Sequence, residues 1–107
     1  MAMWDEVTEA QREALIARVV AGLAACGVPD HLRGGLVLYL AHGILPGGFL
    51  QAVLCNDLQQ AIARGDPVSL AGLPALTEWL THYAPAVAWG SVACVRAWTT
   101  TPERLEL

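Results

Sequence analysis

Residues 42–58 read HGILPGGFLQAVLCNDL. An apolar loop passes through Pro46-Gly47-Gly48 into a segment whose next two turns are almost wholly apolar, and only then do Asn56 and Asp57 appear. An ordinary surface helix carries one apolar stripe. A helix that is apolar on all sides at its start is therefore expected to be enclosed by other helices or by a second subunit. This stretch sets the fold class: all-α, with a buried helix at its centre.

The spacing predicts that this helix runs from about Gly48 to Arg64 and ends at Gly65, with Asp66-Pro67 as a break. At roughly 100° per residue, Leu54, Cys55, Leu58, Ala61 and Ile62 fall on one side. Asn56, Gln60 and Arg64 fall on the other, in line with Phe49 and Val53.

Working outward, a first amphipathic helix is expected from Asp5 or Thr8 to Ala25, with Gly27 beyond its end. Thr8-x-x-Gln11 resembles a capping box, and Val7, Ala10, Ala14, Leu15, Val19 and Leu23 form the apolar face. Glu6, Glu9, Arg12 and Glu13 lie opposite. A second helix starts at Pro29-Asp30 and continues to Leu40 or Ala41. Gly34-Gly35 inside it costs about 1 kcal/mol per glycine, which a closely packed neighbouring backbone would explain. A fourth helix should span Ser69 to Tyr83, with Pro74 in its first turn or at a kink, and Ala84-Pro85 closes it. A short fifth helix follows Trp89-Gly90-Ser91, capped by Ser91, with Val92, Val95 and Trp98 inward. Residues 1–4 and 99–107 read as frayed ends. Strand signals are nearly absent, so the expected architecture is one domain over 1–107, a compact bundle of four to five helices.

Composition bounds the function. The 107 residues are 55% hydrophobic and 15% charged, against about 25% charged in typical soluble domains. That much apolar surface in a small chain leads us to expect a homo-oligomer. The net charge is −4, the six cations are all arginine, and Arg12, Arg18, Arg33, Arg64, Arg96 and Arg104 are dispersed along the chain. Binding to a nucleic-acid backbone, which needs clustered cations, is disfavoured. Residues 1–13 are polar and rich in acids and the apolar window 34–55 is interrupted by His42, Pro46 and several glycines, so no secretory leader, membrane span or membrane attachment is expected. Cys26, Cys55 and Cys94 lie far apart among apolar neighbours and read as small core residues of a cytoplasmic protein.

Two glycine-bearing helix starts, Gly47-Gly48-Phe49 and Trp89-Gly90-Ser91, are the candidate ligand sites. Free N–H groups at a helix start attract phosphate or carboxylate, and glycine lets a ligand approach the backbone. The alternative is that these glycines only permit tight turns. Asn56 and Asp57 are poor mid-helix residues, so a cross-helix hydrogen bond or a ligand contact is expected of them. Arg64 or Arg33 would neutralise an anion, and Phe49 or a tryptophan would stack on it. His31, His42 and His82 are too far apart for a local metal motif, and no metal or other cofactor is expected. His42 with Asp57 forms an acid–base pair on paper, but no activated nucleophile accompanies them.

Several motifs taken together resemble a family of small bacteriophage and prophage proteins. They are Leu32-Arg33-Gly34-Gly35-Leu36 with Tyr39, His42-Gly43-Ile44, Pro46-Gly47-Gly48-Phe49-Leu50, Ala52-Val53-Leu54 and Asn56-Asp57-Leu58. Trp79-Leu80, Ala84-Pro85 and Trp89-Gly90-Ser91 with Trp98 extend the match over residues 29–98. Gly72 and Pro74 depart from the uninterrupted fourth helix of that pattern. The resemblance implies a non-enzymatic accessory protein of the bacterial cytoplasm that counters host defence. It would sequester a nucleotide-type ligand or, alternatively, block a host protein.

Overall fold

The computed structural model describes residues 9–100, with the side chains of residues 9–12 and 15 left aside. Seven α-helices and one 3-10 turn make up this region: α1 (Glu9–Cys26), α2 (Asp30–His42), α3 (Gly48–Leu54), α4 (Leu58–Arg64), α5 (Pro67–Ala71), α6 (Leu73–His82), the turn Ala86–Ala88, and α7 (Val92–Thr100). The all-α expectation holds. Four to five helices was too few, because two of the expected long helices are each divided. The expected helix start at Asp5 or Thr8, the capping box at Thr8 and the frayed residues 1–4 and 101–107 lie outside the described residues. Thr99 and Thr100, expected in the frayed tail, belong to α7.

The first division has a local cause. Asn56 adopts φ 61°, a left-handed conformation that asparagine tolerates better than most side chains. Its N–H reaches Val53 O at 3.1 Å, and the Asp57 N–H reaches Ala52 O at 2.8 Å. These two bonds are the Schellman closure of a helix, with Asn56 in the position usually held by glycine. Asp57 then caps α4, its Oδ1 accepting the Gln60 N–H at 3.2 Å. The pair is thus a stop followed by a start, not a polar site inside one helix. The turn also rotates α4 relative to α3. Ala61 stays buried, while Leu58 is 67% and Ile62 50% exposed, contrary to the apolar side drawn for a continuous helix.

The second division is at Gly72. Asp66 and Pro67 form the N-cap and first turn of α5 rather than a break, and Asp66 Oδ1 accepts the Ser69 N–H at 2.7 Å. The helix expected to begin at Ser69 therefore begins two residues earlier and stops at Ala71. A Cβ on Gly72 would lie 2.6 Å from Pro29 Cγ, so the α2 entry packs against this junction. Pro74 sits in the first turn of α6.

Between α1 and α2, Gly27 takes φ 78° and closes α1 with bonds from Gly27 N to Ala24 O and from Val28 N to Leu23 O. Val28 is then fully buried. Ile16, Val19 and Leu23 form the buried face of α1, which packs on α6. Ala14, expected on that face, is exposed; Val7 and the side chains of Ala10 and Leu15 lie outside the description. Gly22 has its own reason for being in a helix: a Cβ there would lie 2.5 Å from Tyr83 Cγ. Glycine lets the Tyr83 ring lie on the α1 backbone, and Arg18 caps the ring's other surroundings at 5.5 Å from its centroid.

Three aromatic side chains tie the elements together, Tyr39 and Trp98 through α2 and Trp79 between α6 and α1. Trp79 and Tyr39 have no exposed surface and Trp98 is 4% exposed. Trp79 Nε1 donates to Val19 O at 2.9 Å, Trp98 Nε1 donates to Tyr39 O at 2.9 Å, and the Tyr39 hydroxyl donates to Ala88 O. Each ring is buried without an orphaned polar tip. Gly34 and Gly35 do not meet another backbone. Gly34 is open, and Gly35 lies against the side chains of Leu50 and Pro46 at 3.5 Å. The cysteines, expected in the core, are only partly buried, Cys26 and Cys55 at its margin.

Candidate functional site

The loop 43–47 is fixed at both ends. Gly43 has φ 67° and caps α2 through its N–H to Tyr39 O at 2.9 Å. Gly47 takes extended backbone angles as the N-cap of α3, and Gln51 Nε2 reaches back to Pro46 O at 2.8 Å. Beside this start lies an open cleft of about 180 Å³, lined by Gly48, Gln51, Ala52, Cys55, Asp57, Gln60, Arg64 and Val92. Three of the candidate residues read from the sequence, Gly48, Asp57 and Arg64, are brought together there.

Arg64 is the cation of the cleft. A Cβ on Gly48 would lie 2.7 Å from Arg64 Nη1, so the guanidinium rests directly over the Gly48 backbone. Arg64 Nε donates to Gln60 Oε1 at 3.1 Å. Among the described residues no carboxylate lies within ion-pair distance of it. Asp57 shares the cleft but is engaged in capping α4. The Cys55 thiol is pushed up by its burial, and the Asp57 carboxylate adds to that effect, so it stays protonated at neutral pH.

The other candidates are placed differently. Phe49 is buried, its ring where a Cβ on Gly65 would lie 2.8 Å from Cδ1, so it is packed in the core and cannot stack on a ligand. Gly47 is exposed with nothing within 4 Å of its Cβ position. Asn56 terminates α3 and lines a second, smaller hollow with Val53, Asp57, Leu58, Ala61, Leu73 and Thr77. Gly90 has φ 110°, and its N–H is taken by Leu54 O at 2.7 Å. Ser91 Oγ accepts the Cys94 N–H at 3.1 Å, the cap expected from the sequence. Trp89 is half-buried, and its Nε1 has no acceptor among the described residues. The Trp89-Gly90-Ser91 turn thus ties the start of α7 to the end of α3 and does not join Gly48 in one anion cradle. Val92, expected inward, is 58% exposed at the rim of the cleft.

Arg33, the second candidate for charge neutralisation, is occupied: Nε donates to Val28 O at 2.7 Å and Nη1 pairs with Asp30 at 3.2 Å. His42 closes α2 and is not among the residues lining the cleft with Asp57. One cluster escaped the sequence reading. His31 Nε2 lies 2.9 Å from the buried Ser69 Oγ, and Asp66 holds the Ser69 N–H. Backbone and hydroxyl hydrogen bonds from Ser69 hold the Asp66 carboxyl below its usual range. Only the Asp-Pro-x-Ser cap was visible in sequence; the approach of His31 spans 38 residues. Gln51, Ala52, Cys55, Gln60 and Val92 were also unforeseen in the cleft, because the α3–α4 turn decides which way they face.

Among the described residues, no group of three or more His, Cys, Asp or Glu is arranged to hold a metal ion. No helix there is long and apolar enough to cross a membrane. No protein-family model, curated protein or solved structure matches this chain.

Proposed function

We propose that the protein is a non-enzymatic interaction protein that docks a protein partner on the α4 face. The observation that carries this reading is the pair Leu58 and Ile62, one helical turn apart and at least half exposed, on a helix whose own buried contact is Ala61. Val53 and Leu73 widen the apolar centre around a shallow hollow. Asn56, Asp57, Gln59 and Thr77 supply polar groups around it. An apolar centre inside a polar rim is the anatomy of a non-obligate protein interface. The resemblance to phage accessory proteins makes a host protein the expected class of target. Affinity capture with the wild type and with the Leu58→Glu/Ile62→Glu variant tests the reading. A partner retained in stoichiometric amount by the first and lost by the folded second supports it; a partner retained equally by both sinks it.

A second reading is favoured by one observation, the Arg64 guanidinium without a carboxylate beside Gly48. It is a small-anion site, with Gln51 and Gln60 as further hydrogen-bonding groups. The cleft of about 180 Å³ is below the ~300 Å³ at which sites for drug-sized ligands begin. It suits a phosphate or carboxylate group rather than a whole nucleotide. Calorimetric titration with inorganic phosphate and with nucleotides, repeated on Arg64→Gln, separates this reading from docking.

A further inference from the structure

The central helix α2 is enclosed over most of its circumference. Leu32, Leu36, Tyr39 and Leu40 are buried on one side, and Ala41 on another. At about 100° per residue, the arc left open holds Gly34 and Leu38 at its middle, with Asp30 and His31 toward its start and His42 at its end, and Leu38 is 46% exposed. The 43–47 loop turns back along this arc. Ile44 N–H reaches Leu38 O, and Pro46 lies against Gly35. The loop thereby sets Ile44 and Leu45, both about half exposed, beside Leu38. Past Ala41 the same surface meets a shallow apolar groove lined in part by Val20 and Val37.

The middle of this face, Leu38, Ile44, Leu45, Val20 and Val37, carries no charge; Asp30, paired with Arg33, and the imidazoles of His31 and His42 lie toward its ends. Residues 19–29 and 34–55 contain no Asp, Glu, Lys or Arg. The α4 face is different, with Asp57, Arg64 and Asp66 at or near its border. The molecule is also only 18 Å deep in its shortest dimension, less than two helix diameters of ~10–12 Å. The described residues therefore form two layers of helix, and none of them adds a further layer over α2.

We infer that the Leu38–Ile44–Leu45 face pairs with the same face of a second copy about a two-fold axis. Charge favours the copy as occupant. Each chain carries −4, so self-pairing through a charged face brings like charges together, whereas a neutral face meets itself without that cost. Permanent interfaces are depleted in charge at their centre and resemble a core cut in half. A second copy is the one partner always present in equal amount. A stable dimer buries about 800 Å² per partner, roughly one seventh of the 5920 Å² surface, which the broad side of the molecule, 40 × 28 Å, is large enough to supply around this apolar centre. The inference is independent of the α4 docking face, with which it shares no residue.

Sedimentation equilibrium of the full chain, up to about 200 μM, tests it on the wild type, Leu38→Glu, Ile44→Glu and the control Leu58→Glu. The wild type and Leu58→Glu should sediment at twice the 11.4 kDa chain mass. Ile44→Glu should dissociate at least ~30-fold more readily, as for loss of a central contact. Ile44 lies in a half-exposed loop, so far-UV circular dichroism should show its helix content retained; it decides the matter even where Leu38→Glu does not fold. A monomeric wild type overturns the inference. So does a dimer that survives Ile44→Glu, or one that Leu58→Glu disrupts equally.

Discussion

Around α2 and α6, polar tips of aromatic rings end on backbone carbonyls of other elements: Trp79 on Val19, Trp98 on Tyr39, Tyr39 on Ala88. Between Asp57 and Ala71, polar side chains end on their own helix starts, Asp57 on Gln60 and Asp66 on Ser69, while Leu58, Ile62 and Val68 face outward. The first region is held by contacts between residues about 49 to 60 positions apart. The second is held largely by contacts three residues apart. Long-range ties make a region cooperative with the whole fold, whereas local caps let short helices stand on a surface and present large apolar side chains. The candidate docking face lies in the second region, where the local caps leave Leu58 and Ile62 outward, whereas around α2 the large apolar side chain left outward is Leu38.

The largest effect that separates the two regions should come from Trp79→Ala. It removes a fully buried ring and its hydrogen bond, and global stability in a denaturant titration should fall by about 3–5 kcal/mol. A loss under about 2 kcal/mol would break the contrast. Gly22→Ala should cost about 1–3 kcal/mol through overpacking against the Tyr83 ring. Helix propensity alone predicts the opposite sign, a gain of up to about 1 kcal/mol, so a stabilised variant would refute the ring-on-backbone contact.

Asp57→Ala should cost about 1 kcal/mol, as for other lost N-caps, and hydrogen exchange should show the opening confined to α4. Asp66 gives a pH-dependent effect of smaller size. Its folded carboxyl lies below the ordinary value of 3.8, so its contribution is present above that value and is lost as pH falls through the lower, folded one. Asp66→Asn should flatten the acid-side decline in melting temperature; an unchanged acid profile counts against the cap. The smallest effect belongs to Leu58→Ser/Ile62→Ser, where stability should stay within about 0.5 kcal/mol per site although partner capture is lost. A large stability loss there would mean that these side chains belong to the core.

Much of this contrast was legible in the sequence, and the illegible part has a common cause. The helix-ending role of Gly27, the cap at Ser91, and the inward Val95 and Trp98 all follow from local chemistry and hold. Asn56-Asp57 was equally local but ambiguous, because a left-handed stop followed by a cap and a polar pair within a helix have the same spelling. Reading it as continuous helix turned Leu58 and Ile62 inward and hid the exposed face. In the site, Arg64 and Gly48 were both singled out, yet their contact depends on the angle between α3 and α4. Phe49 was assigned to a ligand because nothing in its neighbourhood revealed that Gly65 leaves room for its ring.

The sequence by itself determined the helical class, the uncharged centre and most helix ends, since these rest on propensity, periodicity and capping within a few residues. Only the tertiary structure decided which apolar side chains are core and which are surface, and which of the candidate residues meet. Those outcomes depend on how short helices rotate about Asn56 and Gly72, and the rotation is set by packing against Pro29, Phe49 and the buried aromatic rings, far away along the chain.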